Sequence, residues 1–325
     1  MSLGVVVPCH RQEAYLPRTL RALEDALAGE AWEGVLVQSA PGAAPPAAAR
    51  GWKVIAPPVS WPLTPGGSRM LGFAACGGDL VLFVDADIEV DAAWVRAALE
   101  RARGPAAPGG VWGRIEEWFV DGARERPGEP DLLRAGSGER EVGYMSGVAL
   151  YRRDALLAAG GFDARLSSEE DFELGLRLTR NGVRLTLLDM RAGRHWSAPR
   201  PSLAEVLRRW RGGLFYGQGQ VLRLYLGRPG FAALLRRQGL YLATLLGWAA
   251  GALALLTAAL GRGLTPLAAW LALAALAYAG FTLRKKSARV AGLSILTWTL
   301  QGAGLVLGFV RGLERGLPAQ QGGGS

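Results

Sequence analysis

The sequence predicts an α/β domain with a mainly parallel central sheet, followed by an amphipathic interface helix and C-terminal transmembrane helices. Three observations carry this expectation. Short, continuously apolar runs alternate with helix-patterned segments over the first two hundred or so residues, as in parallel sheets covered on both faces. One segment beginning near Leu203 sets apolar residues at helical spacing, with arginines off that face. From Gly239 onward come three apolar windows, each close to the roughly 20 residues that cross a bilayer.

Residues 3–8, 34–39, 52–56 and 80–84 read as strands, with helices over about 12–28 and 67–76 between them. Sheets of this kind bind ligands beyond the carboxyl ends of their strands. A helix near 92–102 follows Glu89 and Asp91, whose acids suit a helix N-terminus. The pattern then loosens into strand-like 110–119, a Gly/Pro-rich stretch over 121–138, and strand-like 142–152 and 183–188. A loop that long in a compact domain usually has a function or moves.

Between Ser202 and Leu226, the residues Leu203, Val206, Leu207, Trp210 and Leu214 share one helical face, and Arg208, Arg209 and Arg211 lie off it. This reads as a helix lying on a membrane surface. The long apolar windows are 239–260, 264–283 and 288–310, the last interrupted by Gln301. The expected division is a domain at 1–201, an interface segment at 202–238, three spans within 239–311, and a tail at 312–325. The closing Gly-Gly-Gly-Ser resembles an appended linker and carries no functional argument.

Charge separates the two halves. Of the formal +9, residues 202–325 carry fourteen Lys or Arg against two acids, whereas residues 1–201 carry twenty-three against twenty-six. Basic residues flanking apolar windows face anionic headgroups; a nucleic-acid binder would concentrate its charge on the soluble part, so nucleic acid is excluded as a partner. Arg284, Lys285, Lys286 and Arg289 join the second and third windows, against Arg262 alone between the first and second. The positive-inside rule then sets residues 1–238 in the cytoplasm, and the expected location is the cell inner (plasma) membrane, multi-pass. Residues 1–10 carry no basic stretch ahead of their apolar run, so no signal sequence is expected there. The two cysteines, Cys9 and Cys76, lie in unrelated contexts and read as packing thiols in a reducing compartment.

Asp85 and Asp87 follow the apolar strand 80–84, at the edge where such sheets bind ligands. Close carboxylates repel, and a divalent cation with oxygen ligands, Mn²⁺ or Mg²⁺, removes that cost. The plainer reading is a pair of solvated loop acids. Ser167 and Ser168 precede Glu169, Glu170 and Asp171; a serine with an acid three residues on is a capping box, and the alternative is a carboxylate serving as general base. His195 next to Trp196 is either structural or a metal ligand, and His10 is either a strand end or part of a ligand-facing edge.

Four segments together resemble glycosyltransferase family 2, the inverting enzymes of GT-A fold, here in membrane-anchored form. They are VVVPCHRQEAYLPRTLRAL from Val5, GGSRMLGFAACGGDLVLFVDADIEV from Gly66, SGVALYRRDALLAAGGFDARLSSEEDFELGLRL from Ser146 and HWSAPRPSLAEVLRRWRGGLFYGQGQ from His195. The resemblance implies that Pro8, His10 and Glu13 line a nucleotide pocket and that Arg69 reaches the nucleotide or its diphosphate. It further implies that Asp87 binds the metal, that Asp85 lies against the ribose or the metal's water shell, that His195 completes the coordination, and that Asp171 is the base with Glu170 beside it. The second strand ends Val37-Gln38-Ser39 where the family usually carries an Asp that reads the base, which leaves a UDP- or GDP-sugar donor open. Arg208-Arg209-Trp210 stands in place of the Gln-x-x-Arg-Trp box of processive synthases, so single transfer is expected.

The implied reaction moves a sugar from its nucleotide to a lipid acceptor, a polyprenyl phosphate or a lipid hydroxyl, held near the headgroups. A rival of another class is a non-catalytic nucleotide-sugar-binding membrane protein of the same fold. Nucleotidyl transfer would need a Gly-rich basic loop after the first strand, and Pro8-Cys9-His10-Arg11 is not one.

Overall fold

In the computed structural model, whose described residues are 1–39, 49–57, 63–198 and 202–313, the first apolar run becomes strand β1 (Leu3–Cys9). It lies between β2 (Trp32–Gln38) and β4 (Leu80–Val84), parallel to both, and β3 (Lys53–Ile55) pairs parallel outside β2. The strands β5 (Ile88–Val90), β6 (Gly110–Asp121), β9 (Val148–Arg152) and β10 (Leu185–Ser197) extend the sheet in the order β3-β2-β1-β4-β9-β6-β10-β5. Two short strands, β7 (Arg124–Pro127) and β8 (Arg140–Glu141), pair with β6 and β10.

The expected parallel character holds across β3-β2-β1-β4 and between β6 and β10, but β9 runs antiparallel to β4 and β6, and β5 antiparallel to β10. The sheet is therefore mixed. An apolar run has the same pattern in either direction, so strand polarity could not be read from it. Pro8 is tolerated in β1 because the pairing with β4 ends at Val6, and only β2 continues beside it.

Alternation along the strands divides the core between two faces. Leu3, Val5, Val7, Leu82 and Val84 pack under α1 (Leu16–Ala26) and α3 (Ala92–Arg103). Val6, Val81 and Phe83 pack under α2 (Pro65–Ala75), α4 (Arg153–Ala159) and α5 (Glu170–Arg180). In α1, Leu16, Leu20 and Leu23 at the i, i+4, i+7 positions are fully buried, each contributing about 1.5–3 kcal/mol of apolar burial. Its start lies later than expected, since Gln12–Tyr15 forms a turn and proline occupies the first helical turn. Asp91 caps α3 by accepting from the Ala93 N–H at 2.9 Å, whereas Glu89 belongs to β5 and accepts from Trp196 Nε1.

The described chain divides into two units, Met1–Pro199 and Arg200–Leu313. The expected boundary residue 201 and the Gly-Gly-Gly-Ser ending lie outside the described residues. In the second unit, the single amphipathic helix expected over 202–226 is instead two helices, α6 (Leu203–Arg211) and α7 (Gly217–Leu224), with α8 (Phe231–Arg237) following. The break falls at Gly212-Gly213, where Gly213 takes a left-handed φ of 71°. Ser202 caps α6, and Glu205 in its first turn pairs with Arg208 and Arg209, so part of the basic face is internally neutralised.

Three helices are long and apolar enough to cross a membrane: α9 (Gly239–Ala259), α10 (Thr265–Lys285) and α11 (Ala288–Arg311). They fall on the expected windows, and α11 runs unbroken through Gln301. Few polar groups join them. Trp248 Nε1 donates to Thr299 Oγ1 at 2.9 Å and Trp270 Nε1 to the Gly247 carbonyl at 2.8 Å, bonds of the kind that hold helices together where lipid removes the hydrophobic drive.

Candidate active site

The site is built at the carboxyl end of β4. The Asp85 N–H donates to the Gly147 carbonyl at 2.9 Å, and Ile88 N–H closes a turn back to the Asp85 carbonyl at 3.0 Å. This turn presents Asp85 and Asp87 together. β5 then pairs with β10, setting His195 opposite Ile88, and Trp196 N–H donates to the Asp87 carbonyl at 2.8 Å. His195 Nε2 consequently stands 3.3 Å from Asp87 Oδ2, which also accepts from Gln12 Nε2 at 2.9 Å. Burial works to raise the Asp87 carboxyl, but the His195 and Gln12 hydrogen bonds hold it below the usual carboxylate range.

Arg69 joins two other elements to this edge. α2 starts at Thr64, whose hydroxyl accepts from Gly67 N–H, and Gly66 lets α2 approach the loop before α5: a Cβ there would sit 2.6 Å from the Asp163 carbonyl oxygen. Arg69 Nη2 donates to Asp85 Oδ1 and Nη1 to Glu170 Oε1, both at 2.6 Å, and Nε lies 3.7 Å from Asp171 Oδ1. The guanidinium is only 7% exposed. It was expected to reach the nucleotide or its diphosphate; its guanidinium stands among three carboxyl groups.

Glu170 and Asp171 open α5, where acids are favoured by the helix dipole. Of the two readings of Ser167-Ser168, the capping box and the general base beyond it, neither serine takes the capping position: the N-cap is Glu169, in a left-handed conformation (φ 66°). Glu170 is buried against Arg69, while Asp171 is less enclosed and accepts from Ser146 Oγ at 2.6 Å. Ser146 is fixed in turn by Trp112 Nε1, which donates to its carbonyl at 2.8 Å, and by Gly147, whose φ of 76° turns the chain into β9.

Burial, reinforced by Asp171 and opposed by Arg69, pushes Glu170 up to about 8, and burial pushes Asp85 up to about 6 against the pull of Arg69. Between its ordinary value of 4.5 and about 8, folded Glu170 holds a proton that the unfolded chain has lost, so this residue's contribution to stability declines as pH rises through that window. In metal-free protein the expected result is a thermal midpoint that falls from pH 5 to pH 8, with a flatter profile for Glu170→Gln. An unchanged slope in the variant would rule this out.

The remaining predicted residues sit on β1 and the turn after it, joined to this cluster through Gln12, which accepts from His10 N–H at Oε1 and donates from Nε2 to Asp87 Oδ2, both at 2.9 Å. Pro8 is in β1. His10 is exposed at its end, with Nδ1 3.2 Å from Ser39 Oγ, and Glu13 is exposed on the following turn. Gln12, Ser146 and Glu117 were not singled out. Glu117 is buried beside His195 in the β6–β10 register. Gln12 and Ser146 lie inside the first and third quoted segments, but their bonds to Asp87 and Asp171 span 75 and 25 residues, and the place of Glu117 depends on the β6–β10 register.

Asp87 and His195 suit a divalent cation. Two neighbouring ligands of an octahedral ion with bonds of about 2.1 Å lie about 3 Å apart, close to the 3.3 Å between Asp87 Oδ2 and His195 Nε2. His195 Nδ1 is buried with no hydrogen-bond partner among the described residues. No group of three or more His, Cys, Asp or Glu that could hold a metal ion is gathered among the described residues.

Comparison with known proteins agrees with this architecture. The profile of "Glycosyl transferase family 2" matches residues 4–158, and that of "Glycosyl transferase family group 2" matches residues 114–282. Among curated proteins, none matches the sequence. A mannosyltransferase from Pyrobaculum calidifontis, PcManGT, solved in complex with GDP-Man and Mn²⁺, is 18% identical with a TM-score of 0.55, over 95% of this chain and 86% of that one, and shares its fold. S. aureus TarS, residues 1–349 in complex with UDP-GlcNAc, is 18% identical with a TM-score of 0.46; the match covers 66% of each chain, so this chain spans just under two thirds of that length.

Proposed function

Because the chain belongs to glycosyl transferase family 2, with a GT-A-like α/β domain followed by three apolar helices, we propose that it transfers a sugar from a nucleotide-sugar donor to a lipid acceptor, with inversion at the anomeric carbon. The observation that carries this reading is the Asp85/Asp87 turn at the carboxyl end of β4, with His195 on Asp87 and Asp171 held nearby through Arg69 and Ser146.

The donor's diphosphate belongs beside Asp87 and His195, which would hold a divalent cation, Mn²⁺ or Mg²⁺. When bound, that ion supplies positive charge to the departing diphosphate. Pro8, His10 and Glu13 line the nucleotide side, and Asp85 faces the ribose or the ion's water shell while its other oxygen is held by Arg69. Asp171 takes the proton of an attacking hydroxyl, an effect worth about 10²–10⁴ in rate. Arg69 acts by position, keeping Asp85, Glu170 and Asp171 together despite their repulsion. The three apolar helices tether the chain to the cell inner membrane with Met1–Pro199 on the cytoplasmic side, as the basic link Arg284–Arg289 favours.

The test is a donor screen with full-length protein in native lipid extract, using UDP- and GDP-hexoses with Mn²⁺ and reading glycosylated lipid by mass spectrometry. Donor-dependent glycolipid is the expected result. Donor binding without any transfer or nucleotide release across the panel would favour a non-catalytic binding protein and overturn the enzyme reading.

A further inference from the structure

Length and composition give α9, α10 and α11 alike the character of spans, but the packing within Arg200–Leu313 sets the third apart. We infer that α9 and α10 cross the bilayer as a hairpin, and that α11 lies in the headgroup layer on the side from which α9 enters, with a lipid surface as its partner. This goes beyond the sugar-transfer reading and does not depend on it.

The order in which α11 meets α9 is the first support. Three full crossings would run α11 in the same direction as α9 and carry its second half to the far side of the bilayer. Gly302, past the middle of α11, lies instead against the first two turns of α9: a Cβ there would stand 3.0 Å from the Tyr241 carbonyl oxygen and 2.8 Å from Leu245 Cγ. Thr299, a turn earlier in α11, accepts from Trp248, a turn later in α9. Position advances along one helix as it retreats along the other.

Beyond Gly302, α11 packs on α7. A Cβ on Gly304 would sit 2.5 Å from the Phe215 carbonyl oxygen, and one on Gly308 would run into that of Tyr216. Gln220 Nε2 donates to the Gly312 carbonyl at 3.0 Å, and Arg223 Nη1 to the Phe309 and Val310 carbonyls at 3.0 and 2.6 Å. α7 itself stands on the entry side. Residues 225–238 link it to α9 and hold only α8, whose seven residues make a helix about 10 Å long against a hydrocarbon core of about 30 Å. The end of α11 is therefore on the entry side as well, and a chain that returns to the side it left crosses an even number of times.

Charge selects the two helices that cross. With α9 and α10 as the pair, Arg284, Lys285, Lys286, Arg289 and Arg311 all stay on the entry side and Arg262 alone is exported. Crossing by α9 and α11 would export the basic link, and three crossings would export Arg311. The polar residues of α11 agree. Ser294, Thr297 and Gln301 fall at i, i+3 and i+7 on one side of the helix, which Gly304 and Gly308 continue under α7. A one-sided polar stripe suits a helix in the headgroup layer, whereas a span would hold the Gln301 carboxamide near the bilayer centre. None of the residues of α10 is buried, as expected of a helix surrounded by lipid.

Single cysteines in the full chain, in membrane vesicles of both orientations, test this; the native Cys9 and Cys76 are buried, so a membrane-impermeant maleimide reports the introduced residue. Arg96, Arg262, Lys285 and Arg311 are all exposed. We expect Arg96→Cys, Lys285→Cys and Arg311→Cys to be labelled in vesicles of one orientation and Arg262→Cys only in the other. A reporter fused after Ser325 should lie on the same side as one fused ahead of Met1, which checks the result without any substitution. For depth, bimane on Leu300→Cys, at mid-helix in α11, should be quenched most by a headgroup nitroxide lipid, and bimane on Leu273→Cys in α10, 67% exposed, most by a nitroxide deep in the acyl chains. Labelling of Arg311→Cys together with Arg262→Cys, reporters on opposite sides, or strongest quenching of Leu300→Cys by the deep nitroxide would make α11 a third span and overturn the inference. Labelling of Lys285→Cys with Arg262→Cys would overturn it too, by removing α10 from the crossing pair. No donor or acceptor enters these measurements, so either outcome leaves the sugar-transfer reading to its own test.

Discussion

Replacing Asp87 by alanine is expected to abolish sugar transfer and the Mn²⁺ dependence of nucleotide binding, while leaving the fold intact. The carboxylate is the meeting point of His195 Nε2 and Gln12 Nε2, and the proposed cation depends on it. Loss of one preorganised group that stabilises developing charge costs about 10²–10³ in rate, and here the charge of a whole ion is at stake, so activity should fall below that range. The turn itself does not depend on the side chain. Backbone bonds from Asp85 to Gly147, Ile88 to Asp85 and Trp196 to Asp87 hold it, so the thermal midpoint should stay near that of wild type. Calorimetry of UDP and GDP binding, with and without Mn²⁺, provides the check. An alanine variant that binds nucleotide with undiminished Mn²⁺ dependence would show that the cation is held elsewhere or not at all.

His195→Ala should act in the same direction but more weakly, since Asp87 keeps Gln12 and its own charge. Comparing the two variants separates a metal ligand from a histidine that merely orients Asp87. A structural histidine would change the melting temperature at least as much as it changes Mn²⁺ dependence.

The spans and the ligand-facing turn were legible because each is a local pattern. Windows of apolar residues locate α9, α10 and α11 to within one or two residues, and an apolar strand ending in Asp85 and Asp87 marks a sheet edge without any knowledge of its neighbours. What lay beyond reach depended on pairings between distant segments. The register that sets His195 opposite Ile88 joins positions more than a hundred residues apart, and nothing in either segment specifies it. The antiparallel direction of β9 is equally silent in an apolar run. Local rules also misled where tertiary contacts prevailed. Ser167 and Ser168 fit a capping box, yet α5 starts from a left-handed Glu169 so that Glu170 and Asp171 turn toward Arg69. The helical stripe of Leu203 to Leu214 continued past two glycines that break it.

Arg69 shows most clearly how such a long-range constellation differs from a motif, and its replacement is the second large effect expected. In Arg69→Met the apolar stem is kept and the guanidinium lost, leaving the Asp85 and Asp171 carboxylates close together beside a protonated Glu170 with no cation between them. Breaking a buried pair in this way costs about 3–5 kcal/mol, chiefly from the uncompensated carboxylates. Sugar transfer should be lost as well, because the positions of Asp85 and Asp171 both depend on the same group. The cause can be isolated by a double-mutant cycle. If the destabilisation arises from stranded charge, adding Asp85→Asn to Arg69→Met should recover part of the lost stability, giving a coupling of about 0.5–3 kcal/mol between sites in direct contact. If Arg69 merely fills space under Phe162, where its guanidinium carbon stands 5.7 Å from the ring centre, the two substitutions would add independently. Thermal or denaturant unfolding of the four proteins decides between these outcomes, and strict additivity would sink the view of Arg69 as the charge that gathers the site.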